Sequence, residues 1–138
     1  MAEPYIFCAD IAAIDRSRVH RWLTEESYWA KGRSREIQDA AIDSSRNYGV
    51  FDAVTGVQVA YGRVVTDGVT FAWLCDVFVI PELRGHGVGK MFIGGIVADL
   101  EPRNLKRILL STADAHGLYA KYGFAPLNEP SKMMARVR

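Results

Sequence analysis

The sequence predicts a single α+β domain over residues 1–138, with about six to seven strands in a largely antiparallel sheet and about four helices. Three observations point there. Apolar residues follow a helical period before Asn47 and gather into β-branched and aromatic runs after it. A glycine-rich turn joins an apolar strand to an apolar helix further on. No repeat, low-complexity tract or interior linker divides the chain.

Taken in order, Tyr5-Ile6-Phe7-Cys8 is short, apolar and β-prone, and reads as a first strand. Asp15 is placed to cap a helix, with Ile14 and Val19 at the spacing of a hydrophobic staple. Val19, Trp22 and Leu23 give that helix an apolar stripe, and it ends near Glu26. A second helix starts at Ser34 with Ile37, Ala40 and Ala41 facing inward. Tyr48–Phe51 and Val57–Val65 are strands, and Gly62 marks a candidate bulge. Thr66-Asp67-Gly68 is a hairpin turn signal, and Val69–Val79 a long strand whose one charge is Asp76. Pro81 stops it, and Val88–Leu100 follows as a helix apolar on most faces, as burial against a sheet requires. Ile108–Leu110 is a strand and His116–Tyr122 a short helix, with Asp114 a candidate N-cap. Phe124-Ala125 and Lys132–Val137 are expected to close the sheet at its C-terminal edge.

Composition narrows the function. Hydrophobic residues make up 49% and charged residues 24%, the balance of a globular domain with a real core. A net charge of +1 offers no field for nucleic acid. No run reaches membrane-spanning length, and the N-terminus lacks the basic region of an export signal, so a cytoplasmic protein is expected. Cys8 and Cys75 fit two buried thiols, and three dispersed histidines argue against a protein-bound metal.

The strongest local signal is Val79-Ile80-Pro81-Glu82-Leu83-Arg84-Gly85-His86-Gly87-Val88-Gly89-Lys90. Glycines let backbone N–H groups converge, and the helix N-terminus adds positive potential, so the turn suits phosphate. Arg84 and Lys90 can add charge-assisted contacts. Two other phosphate motifs fail by count. Gly85 and Gly89 enclose three residues and Met91 follows Lys90, which excludes a P-loop. No third glycine stands where a dinucleotide fingerprint needs one. What remains is Arg84-x-x-Gly87-x-Gly89, and about 35 residues further on comes Leu118-Tyr119-Ala120-Lys121-Tyr122-Gly123-Phe124.

These two segments, in this order and on these elements, resemble the paired signatures of the GNAT superfamily of acetyl-CoA-dependent N-acetyltransferases. The preceding elements match as well, so the resemblance covers essentially the whole chain. It implies a central, mixed, mostly antiparallel twisted sheet whose long fourth strand splays from the fifth. Val77, Phe78 and Val79 would then pair with the pantetheine arm of acetyl-CoA. The loop Arg84, Gly85, His86, Gly87, Val88, Gly89 and Lys90 would bind its pyrophosphate, with the backbone N–H of His86 mattering more than its imidazole. An amine would attack the acetyl group directly in a ternary complex, and backbone N–H groups near Val77 would polarise the thioester.

Within that resemblance, Tyr119 stands where the family places the tyrosine that protonates the departing thiolate; otherwise it is a core aromatic. Asp76 is a candidate base for the incoming ammonium, with Glu25 and Glu26 behind it. Equally, Asp76 attracts a cationic substrate or caps a backbone group. Where many family members carry an asparagine upstream of the tyrosine, Thr112 stands here. Substrate choice in the family lies largely between the first two helices, which marks Tyr28, Trp29 and Arg33. The aromatics can pack on an amine and Arg33 can meet a carboxylate, or the aromatics plug the core. A small-molecule amine fits better than a protein lysine, and a homodimer is left open. The rival is a non-catalytic acyl-CoA-binding sensor that kept the loop.

Overall fold

A computed structural model describes residues 4–138. The order is β1 (Tyr5–Cys8), α1 (Arg16–Glu26), α2 (Arg35–Asp43), β2 (Arg46–Asp52), β3 (Gln58–Thr66), β4 (Phe71–Val79), α3 (Val88–Leu100), β5 (Arg107–Leu109) and α4 (His116–Ala120). The five strands form one sheet in sequence order. β1 to β4 run antiparallel to their neighbours, and β5 joins β4 in parallel through the α3 crossover. Among the described residues, no helix is long and apolar enough to cross a membrane.

Helix starts follow local chemistry. The Asp15 carboxylate accepts from the amide of Arg18, and the Ser34 hydroxyl oxygen from that of Ile37, each satisfying a donor that the first helical turn leaves open. Val19, Trp22 and Leu23 are buried as their spacing requires, in one cluster with Ile14. α2 departs from expectation. Ile37 is exposed and Gln38 is fully buried beside Ile42, so the inward face is rotated by about one residue. The buried Gln38 is half-satisfied: its Oε1 accepts from Arg33 at 3.0 Å, and its Nε2 has no partner among the described residues.

Each face of the sheet carries its own core. One holds Tyr48, Val50, Ala60, Val64, Ala72 and Leu74 against Phe92, Ile93, Ile96 and Leu100 of α3. The other holds Tyr61 and Phe78 against α1 and α2. Strict alternation would put Ala72, Leu74 and Phe78 on one face. They are on two because β4 carries a bulge: Cys75 pairs with Arg63 and Phe78 with Tyr61, so Asp76 and Val77 oppose Gly62 alone. Asp76 absorbs the extra residue with a left-handed backbone, φ 56°. The sequence marks Gly62 for the bulge, but Gly62 lies opposite it. Its own constraint is steric, since a Cβ there would come within 3.1 Å of the Phe92 ring.

Gly95 is a similar close approach inside α3. A Cβ at that position would lie 2.6 Å from the Phe7 ring, which stacks on Tyr48 with centroids 5.8 Å apart. Gly95→Ala gains helix propensity but overpacks this contact, and a net loss of about 1 kcal/mol is expected in urea unfolding. A net gain would mean that Phe7 moves aside freely.

The two closing strands expected after Gly123 do not form, so the sheet has five strands and not six or seven. Phe124 instead packs edge-on against Tyr119, its amide donating to the Tyr119 carbonyl. Pro126 and Pro130 interrupt the rest, and residues Pro130–Lys132 make a single 3-10 turn. Proline has no N–H to give a strand ladder. Met134 and Val137 consequently remain exposed.

Candidate active site

β4 and β5 pair only over Phe71–Trp73 with Arg107–Leu109. Beyond Trp73 the strands part, and the β5-facing side of Leu74–Val79 has no strand partner. A cavity of about 890 Å³ opens in the gap. Val77, Phe78 and Val79 line it from the sheet, Leu118 and Tyr119 from α4, and Tyr28, Trp29 and Arg33 from the connector between α1 and α2. Most residues that the sequence singles out therefore meet at one cleft.

The glycine loop lies at one end of this cleft. Gly85 and Gly87 both have left-handed backbones, φ 82° and 87°, and a Cβ on either would meet nothing within 4 Å. Glycine is needed here for conformation, not for space. Gly87 precedes α3, whose first turn has no side-chain cap, leaving its N–H groups to an outside acceptor. Arg84 folds back on β4, its Nε donating to the Val79 carbonyl at 2.8 Å and its guanidinium 5.0 Å from the Phe78 ring centroid. Arg84, Gly85 and Gly89 line the cavity, whereas His86, Gly87, Val88 and Lys90 stand outside its wall. Val88 is buried in the core, and the Lys90 carbonyl accepts from the Tyr122 hydroxyl at 2.7 Å. The His86 amide, expected to face a ligand, donates to the Leu83 carbonyl at 3.2 Å and closes the turn.

Tyr119 is 7% exposed, packs edge-on against Phe124, and has no hydrogen-bond partner for its hydroxyl among the described residues. Burial pushes its pKa up to about 12, helped by Tyr28 and Asp114 nearby. The phenol therefore stays protonated at neutral pH. The turn before α4 is held by Thr112, whose Oγ1 accepts from Ala115 at 3.0 Å. Asp114, expected as the cap, is not the cap residue; it lines the cavity instead.

The connector is folded by Ser27, whose hydroxyl donates to the Leu23 carbonyl and accepts from the Ala30 amide. Tyr28 and Trp29 are 65% and 41% exposed, so they are not core plugs. Their rings meet edge to face, and the Tyr28 hydroxyl oxygen accepts from the Ala113 amide at 3.1 Å, tying the connector to the β5–α4 loop.

Asp76 is buried and heavily engaged. Its Oδ2 accepts from Arg33 at 2.7 Å and from Arg63 Nε at 2.6 Å, while Oδ1 accepts from the Trp29 indole at 2.9 Å. Burial pushes its pKa up, but the hydrogen bonds and charges of Arg33 and Arg63 push harder the other way. The carboxyl sits below its ordinary range. Arg33 is thus bound to Asp76 as well as lining the cleft. Neither Arg63 nor Gln38 stands out in the sequence. Arg63 is one basic residue in an apolar strand, and Gln38 one polar residue near an apolar stripe. Glu26 also lines the cavity, and its side chain makes no hydrogen bond or ion pair among the described residues.

The profile of the acetyltransferase (GNAT) family matches residues 15–124, and the chain belongs to that family. A GNAT-family protein of Xanthomonas campestris pv. campestris has the same fold, with a TM-score of 0.90 and 41% identity over 97% of this chain and 93% of its own. A Clostridium acetobutylicum structure solved with acetyl-CoA superposes with a TM-score of 0.69 at 16% identity, over 97% of this chain and 94% of its own, and shows likeness of fold alone. Serotonin N-acetyltransferase 2 of Oryza sativa subsp. japonica is 37% identical over 71 residues, 51% of this chain and 36% of that protein. The chain spans little more than a third of that curated relative. The family uses acetyl-CoA.

Proposed function

We propose that the protein is an N-acetyltransferase that moves an acetyl group from acetyl-CoA to the primary amine of a small molecule, by direct attack in a ternary complex. The observation that carries this reading is the cleft itself. An unpaired strand edge, a glycine turn with left-handed φ and a protonated phenol with no internal partner face one cavity. These residues fit a CoA thioester. The main chain of Val77–Val79 offers strand pairing to a pantetheine amide, and the loop with the α3 N-terminus offers amides to a pyrophosphate.

When bound, acetyl-CoA supplies a thioester whose C–S bond breaks as the acceptor nitrogen forms its C–N bond. Tyr119 is assigned as the proton donor to the departing sulfur, since it lines the cavity and its phenol is protonated at neutral pH with no hydrogen-bond partner among the described residues. Asp76 is better assigned as a positioning group than as the base. Its low pKa and multiple donors leave it weakly basic, while they hold Arg33 and Trp29 in the cavity wall. Glu26, free of internal partners, is the assigned proton acceptor. Acetyl-CoA is an intracellular donor, which supports a cytoplasmic location.

Thiol release from acetyl-CoA, measured across a panel of small amines with CoA thermal shift alongside, tests the assignment. Amine-dependent release is expected. Stabilisation by CoA with no release from any amine would favour an acyl-CoA sensor, and neither signal would overturn the donor site.

A further inference from the structure

The charges along the cleft do not balance locally. Arg33 and Arg63 bring two guanidinium groups to the single carboxylate of Asp76, with contacts of 2.7 and 2.6 Å. No other carboxylate lies within 4.0 Å of either guanidinium among the described residues. Their other contacts are neutral: Gln38 Oε1 at 3.0 Å from Arg33 and Ser45 Oγ at 3.2 Å from Arg63. Cys75 beside them stays a neutral thiol, since burial pushes its pKa up to about 11. One positive charge is left over on a partly desolvated wall. Both arginine side chains keep some exposure, 18% and 16%, and both line the cavity. A cation in that setting is best stabilised by an anion that arrives with a ligand.

The same cavity carries the opposite charge elsewhere. Glu26 and Asp114 line it, and neither carboxylate has a salt bridge or side-chain hydrogen bond among the described residues. A molecule filling this cavity thus meets the Arg33–Arg63 pair, two exposed acidic residues without ion pairs among the described residues, and the Tyr28 and Trp29 rings.

We propose that the acceptor carries a carboxylate in addition to its amine, as a free amino acid does, and that Arg63 with Arg33 reads the carboxylate. This rests on the acetyltransferase reading above and deepens it to a substrate class. Glu26 and Asp114 favour the ammonium end, and the guanidinium pair fixes the orientation of the molecule. Arg63 is a specificity-determining residue in this scheme, with Asp76 holding its Nε, Ser45 accepting from its Nη1, and Nη2 left for the ligand.

Matched acceptors test this: an amino acid, its carboxamide and its decarboxylated amine, compared by kcat/KM for thiol release. The carboxylate-bearing acceptor is expected to win by at least about tenfold, the worth of one charge-assisted contact. Arg63→Met is expected to cut that preference to about threefold or less, while CoA still raises its melting temperature. Arg63→Lys, which keeps the charge without the fork, is expected to fall between. Equal or better use of the neutral acceptors by the wild-type protein overturns the inference and leaves the acetyltransferase assignment standing. So does an undiminished preference in folded Arg63→Met. No transfer to any acceptor in the panel overturns both. The wild-type comparison decides the matter even if the methionine variant does not fold.

Discussion

Asp76→Ala is expected to lower stability by about 3 kcal/mol, since it strands two guanidinium groups that share one buried carboxylate. In a domain of this size that is a fall of about 10 °C in melting temperature. The loss should depend on pH. The folded pKa of Asp76 lies below its unfolded value, so its contribution is complete above the unfolded carboxylate pKa of about 4 and fades as pH falls through the folded value. Urea unfolding of wild type and Asp76→Ala should therefore differ most at neutral pH and converge under acid. Asp76→Asn, which keeps acceptor capacity but loses charge, should fall between the two. If Asp76 were the base, the asparagine variant would lose turnover almost completely even at temperatures where it stays folded. Such a collapse in kcat, with acceptor KM near wild type, would reject the positioning role.

Tyr119→Phe should leave the fold and CoA affinity close to wild type and lower kcat by about 100-fold or more, the usual worth of a placed acid. The hydroxyl makes no internal hydrogen bond among the described residues, so its removal strands no partner. The ring keeps its packing on Phe124. Thiol release with the best amine acceptor gives kcat, and calorimetric titration gives the affinity. Unchanged kcat would reduce Tyr119 to a core aromatic.

The parts of this molecule that were readable from sequence are those whose constraint is local. The Asp15 and Ser34 caps, the glycine loop and the Leu118–Phe124 segment each have requirements that a few neighbouring residues express. The β4 bulge does not. Val69–Val79 reads as one long strand whose one charge is Asp76, and only pairing with β3 reveals the extra residue and the turning of Phe78 to the opposite face. The polar cluster at Asp76 is hidden for the same reason, because Trp29, Arg33 and Arg63 reach it from three separated segments. Gln38 shows the consequence for helices: it, and not Ile37, takes the inner face, with its Oε1 bonded to Arg33 from the connector before the helix. At the C-terminus, β-prone composition suggests strands at Phe124-Ala125 and Lys132–Val137, but Pro126 follows the first directly and the 3-10 turn Pro130–Lys132 takes the first residue of the second.

The parting of β4 from β5 has a further consequence, for how the main chain of one strand exchanges with solvent. Along Leu74–Val79, amides directed at β3 sit in a ladder, while those directed across the gap have no strand to protect them. Hydrogen exchange along this stretch is therefore split by direction, slow and fast sites interleaved within a single strand. A ligand seated in the gap slows the fast set and leaves the slow set nearly as it was, so its footprint is a comb and not a block.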